Sequence, residues 1–307
     1  MPDPAVAAVR SFNRTVTQRI GALHDEYLAR ARPLGASRLL WEIGDRGTDV
    51  RSLRARLDLD SGYVSRLLAS LERDGLVTVA ADAADKRVRI ARLTAAGKAE
   101  RRLLDLRSDA LARSMLAPLR GDERRQLVDA MRTVERLLTA GLVDISVEDP
   151  RTDAARYCLR SYFAELDSRF ESGFDPAQSI SADDAELELP AGLLLVARLR
   201  GQPVGCGALK LHGSQPAEIK RMWVDPSARG LGLGRRLLDA LERHARDHGA
   251  RVARLETNAS LREAIALYRS AGYVEVDAFN DEPYAHHWFE KHLRPRTRRK
   301  SSNTARG

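Results

Sequence analysis

The run Arg229-Gly230-Leu231-Gly232-Leu233-Gly234 stands between an apolar strand pattern at residues 219–224 and a helical pattern at residues 235–248. A glycine turn that joins a strand to a helix aims several backbone N–H groups, and the positive end of the helix, at one point in space. That point suits a pyrophosphate. Two other phosphate-binding readings are less well matched. A dinucleotide fold wants Gly-x-Gly-x-x-Gly with an acidic residue about 20 positions on; Glu256 satisfies the second demand, but position 237 is Leu. A phosphate loop for ATP wants Gly-Lys-Ser or Gly-Lys-Thr, and Arg235-Arg236 stand there instead. A plain glycine-rich surface turn is the remaining alternative.

The residues after the turn narrow the choice. Beyond the helix come a short strand at 251–257, Asn258, a helix at 260–271 stopped by Gly272, and Tyr273 opening another strand. The ordered set Val224-Asp225-Pro226, Arg-x-x-Gly-x-Gly, Asn258, Ala264, Leu267-Tyr268 and Gly272-Tyr273 resembles the GNAT acetyltransferase family. The resemblance covers about residues 150–293 and is most specific over 218–273.

The resemblance implies acetyl-CoA as acyl donor and no metal. It places the pyrophosphate on the turn, at Arg229, Gly230, Leu231, Gly232, Leu233, Gly234 and Arg235. It pairs the pantetheine arm with Met222, Trp223 and Val224 as an added strand, and with Asn258. Acyl transfer to an amine needs a neutral amine, a stabilised oxyanion and a proton for the departing thiolate. Tyr268 stands where the family keeps its general acid, and Glu218 where related enzymes carry a general base, with Glu256 as the substitute. An N–H near Val224, freed by a bulge, is the expected oxyanion donor. Glu218 paired with Lys220 or Arg221 as a solvated strand residue is the ordinary alternative.

The first half carries a different pattern. Leu53 and Leu57, then Val64, Leu67, Leu68 and Leu71, give two apolar faces at helical spacing on either side of a polar break at 58–61. The spacing predicts a helix-turn-helix whose second helix shows Ser61, Tyr63, Ser65, Arg66 and Ser70 outward. Strands at 76–79 and 88–93 with a charged loop at 82–87 add a wing. Asp85-Lys86-Arg87, followed by Leu93-Thr94-Ala95-Ala96-Gly97, resembles the wing and wing exit of MarR-type transcriptional regulators. That resemblance implies a double-stranded DNA operator read by the second helix in the major groove. Lys86, Arg87 and Arg89 lie at the wing, where an arginine oriented by Asp85 suits a narrow minor groove. Long amphipathic segments at 9–32, 99–115 and 122–142 are of a length to pair with a second copy, so a homodimer on a near-palindromic site is expected.

A length of 307 residues suits two domains, and charge divides the chain likewise. Residues 1–146 hold 26 basic and 20 acidic side chains, residues 147–293 hold 19 and 23, and the last fourteen hold six and none. The expected organisation is therefore a mainly-α MarR-like winged helix with dimerisation helices at 1–146, an α/β GNAT domain with a mixed sheet flanked by helices at 147–293, and a basic disordered tail at 294–307. The stretch 143–153 reads as the linker. A helix at 154–170 rich in aromatics (Tyr157, Tyr162, Phe163, Phe170) could form one wall of an acceptor cleft. Cys158 and Cys206 are far apart in sequence and fit no Cys-x-x-Cys motif, no apolar run reaches membrane length, and the start lacks a secretion signal, so a cytoplasmic protein is expected. Two functional readings result: a regulator fused to an active N-acetyltransferase acting on a small amine or a lysine, or a regulator whose second domain senses an acyl-CoA or metabolite without turnover.

Overall fold

The computed structural model describes residues 3–23, 28, 32–180, 182–213 and 215–294. Except for Arg294, the basic tail expected at 294–307 lies outside them. The chain divides into two compact units at Arg132/Thr133.

The first unit begins with α1 (Pro4–Arg19) and α2 (Leu34–Ile43), then β1 (Thr48–Asp49), α3 (Val50–Leu57), α4 (Ser61–Arg73), β2 (Val77–Ala81), β3 (Arg89–Leu93) and α5 (Ala95–Leu116). The helix expected over 9–32 ends earlier, at Arg19, where Gly21 turns the chain at φ +69°. Asp49 caps α3 and Asp60 caps α4, each carboxylate accepting from first-turn amides. Between them Asp58 closes α3 in the left-handed region, φ +51°. Leu53, Val64, Leu68 and Leu71 then bury against Leu39, Leu40 and Ile43 of α2. β2 pairs with β3 and β3 with β1, all antiparallel, so the wing hairpin is anchored by a third strand.

Gly97 explains the Leu-Thr-x-x-Gly wing exit. Thr94 Oγ1 donates to the Gly75 carbonyl at 2.7 Å and accepts from Gly97 N–H at 3.0 Å, pinning the start of α5 onto the turn that follows α4. A Cβ at Gly97 would collide with the Leu76 carbonyl oxygen. A glycine is therefore required by close approach.

α6 (Gly121–Gly141) contains the division between the units and leads into the second, which holds β4 (Val143–Glu148), α7 (Asp153–Arg169), β5 (Gly192–Leu199), β6 (Gln202–Lys210), β7 (Ala217–Val224), α8 (Leu233–Asp247), β8 (Val252–Thr257), α9 (Arg262–Ser270), β9 (Val274–Val276) and β10 (His287–His292). These strands form one sheet in the order β4-β5-β6-β7-β8-β10-β9. The stretch read as a linker is in part a strand: residues 143–148 pair with β5 along their whole length, so position 146 falls inside β4.

Both faces of the sheet are covered, which is why β5 reads as an unbroken apolar run rather than an alternating one. Leu193, Leu195 and Ala197 face the side packed by Leu233, Leu237, Leu238 and Leu241 of α8. Leu194 and Val196 face Ala155, Cys158 and Leu159 of α7. Cys158 and Cys206, distant in sequence, meet in that second layer as free buried thiols.

Two irregularities shape what lies between β7 and β8. Their parallel pairing consists of Ala217 with Ala253 and Glu218 with Arg254, after which the strands part. The register of β6 against β7 also shifts, so that Arg221 and Met222 bulge opposite the single residue 207. The bulge therefore lies earlier than the position near Val224 that the sequence suggested, and Arg221 sits in it at φ +54°.

Candidate functional site

The parted strands open two adjoining cavities in the second unit. The larger, about 550 Å³, runs along the glycine turn and is lined by Met222, Trp223, Val224, Arg229, Gly230, Gly232, Leu233, Gly234 and Arg235. The smaller, about 100 Å³, lies towards α7 and the 282–285 segment. Tyr162, Leu166, Met222, Leu261, Ala264 and Tyr268 border both.

The glycine turn is built for an anion by its main chain. Gly230 and Gly232 take φ +79° and +72°, conformations that side chains penalise. Gly232 is the N-cap of α8 and offers no side-chain oxygen, so the first-turn amides of Leu233, Gly234 and Arg235 have no capping side chain. The two arginines are tied to the protein. Arg229 donates to the Val224 carbonyl (3.1 Å) and to Glu165 (2.5 Å), and Arg235 to Asp239 (3.0 Å) and the Ser270 carbonyl (3.3 Å). The diphosphate of a CoA thioester fits such a cradle, and the unpaired edge of β7 beyond Glu218 fits an extended amide-bearing arm laid beside it.

Two of the residues expected at the donor have side chains already engaged within the chain. Leu231 is partly buried and packs on the α8 core. Asn258 borders the smaller cavity, and its side chain ties the loop to itself: Nδ2 donates to the Tyr284 carbonyl at 2.7 Å and Oδ1 accepts from Ser260 N–H at 2.9 Å.

Glu218 also departs from expectation, since it lines neither cavity. Its carboxylate accepts from Arg254 at 2.6 Å, with His212 Nε2 at 3.4 Å and Lys220 Nζ at 3.8 Å. Burial alone would raise its pKa, but the Arg254 hydrogen bond and the charges of Lys220, Arg254 and His212 outweigh that and hold it below the ordinary carboxyl value. A group so stabilised as an anion is a weak base.

Glu256, the substitute carboxylate, does reach the smaller cavity. It is at the end of β8, and its side chain is 8 % exposed. Oε1 accepts from Lys220, while Oε2 is buried without a hydrogen-bond partner among the described residues. Tyr268 sits at the junction of the cavities. Burial, with the negative charge of Glu256 adding to it, pushes its phenol pKa well up, so it holds its proton at neutral pH.

The rest of the smaller cavity comes from far-apart segments. Tyr162 and Phe163 of α7 and Phe170 just beyond it border the cavity as the aromatic pattern suggested, but Tyr157 does not, its hydroxyl donating to Asp225 at 3.3 Å. Phe174, Arg221, Glu282 and Tyr284 also border it and were not anticipated. Glu282 is 8 % exposed, its carboxylate accepting from Ser179 Oγ (2.9 Å) and Ile180 N–H (2.8 Å). The 279–285 segment has no periodicity, so nothing local marks these residues.

In the first unit, Ser61, Ser65 and Arg66 of α4, expected to face DNA, are exposed, as are Lys86, Arg87 and Arg89 at the wing. Asp85 orients the wing: Oδ1 accepts from Arg87 N–H at 2.9 Å and lies 3.5 Å from its guanidinium, which is otherwise 89 % exposed. Ser70 is half-buried. Tyr63 is drawn inward, packing on the α2–α4 core with its hydroxyl close over Gly35 and its ring beneath Arg66.

Sequence comparison agrees with this division. A family model described as Acetyltransferase (GNAT) family matches residues 159–273, and one described as MarR family matches residues 32–88. An IAA acetyltransferase of Azospirillum brasilense is 39 % identical over 144 residues, 46 % of this chain and 90 % of that protein. A mycothiol acetyltransferase of Thermomonospora curvata is 39 % identical over 99 residues, 32 % of this chain and 33 % of that protein. Among solved structures, a GNAT-family acetyltransferase of Staphylococcus aureus is 17 % identical with a TM-score of 0.43, covering 50 % of this chain and 99 % of that one. No helix among the described residues is long and apolar enough to cross a membrane. The chain belongs to the GNAT acetyltransferase family and carries a MarR-family winged helix in front of that domain.

Proposed function

We propose that this protein is an acetyl-CoA-dependent N-acetyltransferase joined to a DNA-binding regulator that works as a homodimer. One observation carries the catalytic half: an anion cradle of main-chain amides and a cavity bordered by a carboxylate with one unpartnered oxygen meet at a protonated tyrosine. Acetyl-CoA, when bound, supplies the acyl group and a thiolate leaving group. Gly230, Gly232 and the first turn of α8 hold the diphosphate, and the free edge of β7 at 222–224 holds the arm. Glu256 Oε2 takes one proton from the acceptor ammonium. The amine nitrogen then bonds to the acyl carbon as the carbon–sulfur bond breaks, with main-chain N–H groups at the bulge opposing the charge on oxygen. Tyr268 gives its proton to sulfur, and the proton lost by nitrogen replaces it. Products are the N-acetyl amine and CoA thiol.

Lys220 bonded to Glu256 favours the other reading, a sensor without turnover, because one carboxylate oxygen is already committed to a cation. Thiol release from acetyl-CoA across a panel of amines separates the two. Acetyl-CoA binding with no release for any amine is the outcome expected of a sensor.

On the regulatory side, the exposed Ser61, Ser65, Arg66 and wing arginines support operator binding. Val6, Val9 and Phe12 on α1 and Leu137 and Leu138 on α6 are exposed apolar residues that suit pairing with a second copy. Light scattering should give a dimer, and a DNA fragment from beside the coding region should bind with a steep salt dependence. Arg87→Ala should flatten the salt slope by about 0.9 per lost phosphate contact. An unchanged slope removes Arg87 from the interface.

A further inference from the structure

Lys220, Arg221, Glu256 and Glu282 border the smaller cavity, and not all of these charges are paired with one another. Lys220 is shared by Glu256 and Glu218, and Glu218 also has Arg254. Arg221 is different. It borders the cavity, yet among the described residues no carboxylate is bonded to it: one NH2 proton goes to the Ala182 carbonyl at 2.9 Å, and the guanidinium lies 4.7 Å above the Phe163 ring. The acidic residues that act on it from a distance, Asp184 and Glu186, are themselves committed to Arg156 and Lys210. Burial accordingly makes its charge costly, lowering its pKa. The left-handed bulge at Arg221, one of four such non-glycine residues among those described, breaks the alternation of β7 and puts 221 and 222 both on the cavity.

An unpaired guanidinium is a fork for a carboxylate. Opposite charges stand in the same small space, Glu256 with Oε2 free and Glu282 with no cation bonded to it among the described residues. Phe163, Phe174 and Tyr284 add aromatic walls, with Ser179, Thr257 and Asn258 also at the border.

We propose that the acceptor is a free α-amino acid with an apolar side chain, whose carboxylate is held by Arg221 while its ammonium faces Glu256 across the aromatic-walled cavity. The inference deepens the enzymatic reading and rests on it only for turnover, because recognition of the zwitterion stands without catalysis. A protein lysine or a peptide N-terminus has no carboxylate within reach of its amine, so it leaves Arg221 unpaired.

The test compares each acid with its own amide: L-methionine with L-methioninamide, and L-phenylalanine with L-phenylalaninamide, on the full chain. Binding is followed by calorimetry with CoA present, and turnover by thiol release from acetyl-CoA. The expected result is a preference of about 10- to 100-fold for at least one free acid over its amide, the range of a charge-assisted bond lost in a desolvated site. Arg221→Gln should erase that preference while leaving acetyl-CoA affinity unchanged, and Arg221→Lys should restore part of it. The wild-type comparison alone decides the matter if the variants fold poorly. Preferential binding of the acid without thiol release supports Arg221 as a carboxylate receptor and counts against catalysis. Turnover of amides as good as or better than that of the acids overturns the proposal while leaving the acetyltransferase standing, and failure of both acids to bind overturns it as well.

Discussion

The two cavities that meet at Tyr268 are made of different material. The larger is a main-chain site, drawn largely from one continuous stretch, residues 222–235, whose glycines and helix start present amides. The smaller is a side-chain site, assembled from α7, the 174–182 segment, the β7 bulge, the end of β8 and residues 282–285. A main-chain site depends on local conformation, so it tolerates changes in side chains that keep φ and ψ. A side-chain site depends on which distant segments the sheet brings together, and single atoms in it decide the chemistry. The two should therefore fail in different ways when altered.

Glu256→Gln is the strongest probe of that difference. Loss of a positioned general base should lower kcat by about 100- to 1000-fold. Acetyl-CoA affinity should stay within about twofold of the wild type, because nothing in the larger cavity changes. Steady-state thiol release and calorimetry on the same preparation measure both, and parallel loss of binding and turnover would mean that the cavities are not separable. Tyr268→Phe should come next, lowering kcat by about 10- to 100-fold with acetyl-CoA binding retained, since a thiolate departs more readily than most leaving groups and needs less protonation. Unchanged turnover would take the phenol out of the reaction.

Gly232→Val tests the main-chain site in the opposite sense. A β-branched residue at φ +72° costs about 1–2 kcal/mol, so the turn should shift and the Kd for acetyl-CoA should rise about 10-fold. Turnover at saturating acetyl-CoA should change by less than about threefold, provided the helix start re-forms around the bound donor. A normal Kd would indicate that the diphosphate rests elsewhere.

The same difference governs how much could be read before the fold was known. Arg229 to Gly234, the helix after it, and the Leu-Thr-x-x-Gly exit of the wing are local devices: each is a few residues whose backbone demands are written in their types, and each lies where the sequence placed it. Which way the Leu231 side chain faces was not legible, because a run of glycines and leucines fixes the backbone of the turn and not which leucine packs on the core. β4 was read as part of a linker because Glu148-Asp149-Pro150 and the change of charge sign set the reading of 143–153, while its partner β5 lies more than 40 residues on. Arg221 and Glu282 had no local sign at all. The first owes its place to a register shift between β6 and β7, the second to a segment without regular structure that folds back onto Phe174, Ser179 and Ile180, and such meetings are properties of the whole fold.

Glu218 is the sharpest case, because it and Glu256 are both buried carboxylates next to Lys220, and only one borders a cavity. Glu218→Gln should change kcat by less than about threefold and leave the pH–rate profile in place. It should instead cost stability, roughly 1–3 kcal/mol for a charge-assisted bond in a mostly buried pair. The pH dependence gives the assignment a second handle. The folded state holds the Glu218 carboxyl below its ordinary value, so its stabilisation is present above the ordinary carboxyl pKa and is lost as pH falls through the folded value. The difference in Tm between wild type and Glu218→Gln should accordingly be full at pH 7 and shrink towards zero on acidification. A kcat loss as deep as that of Glu256→Gln, with no such closing of the Tm gap, would return the role of base to Glu218 and show that proximity to the cavity is not what selects the catalytic carboxylate.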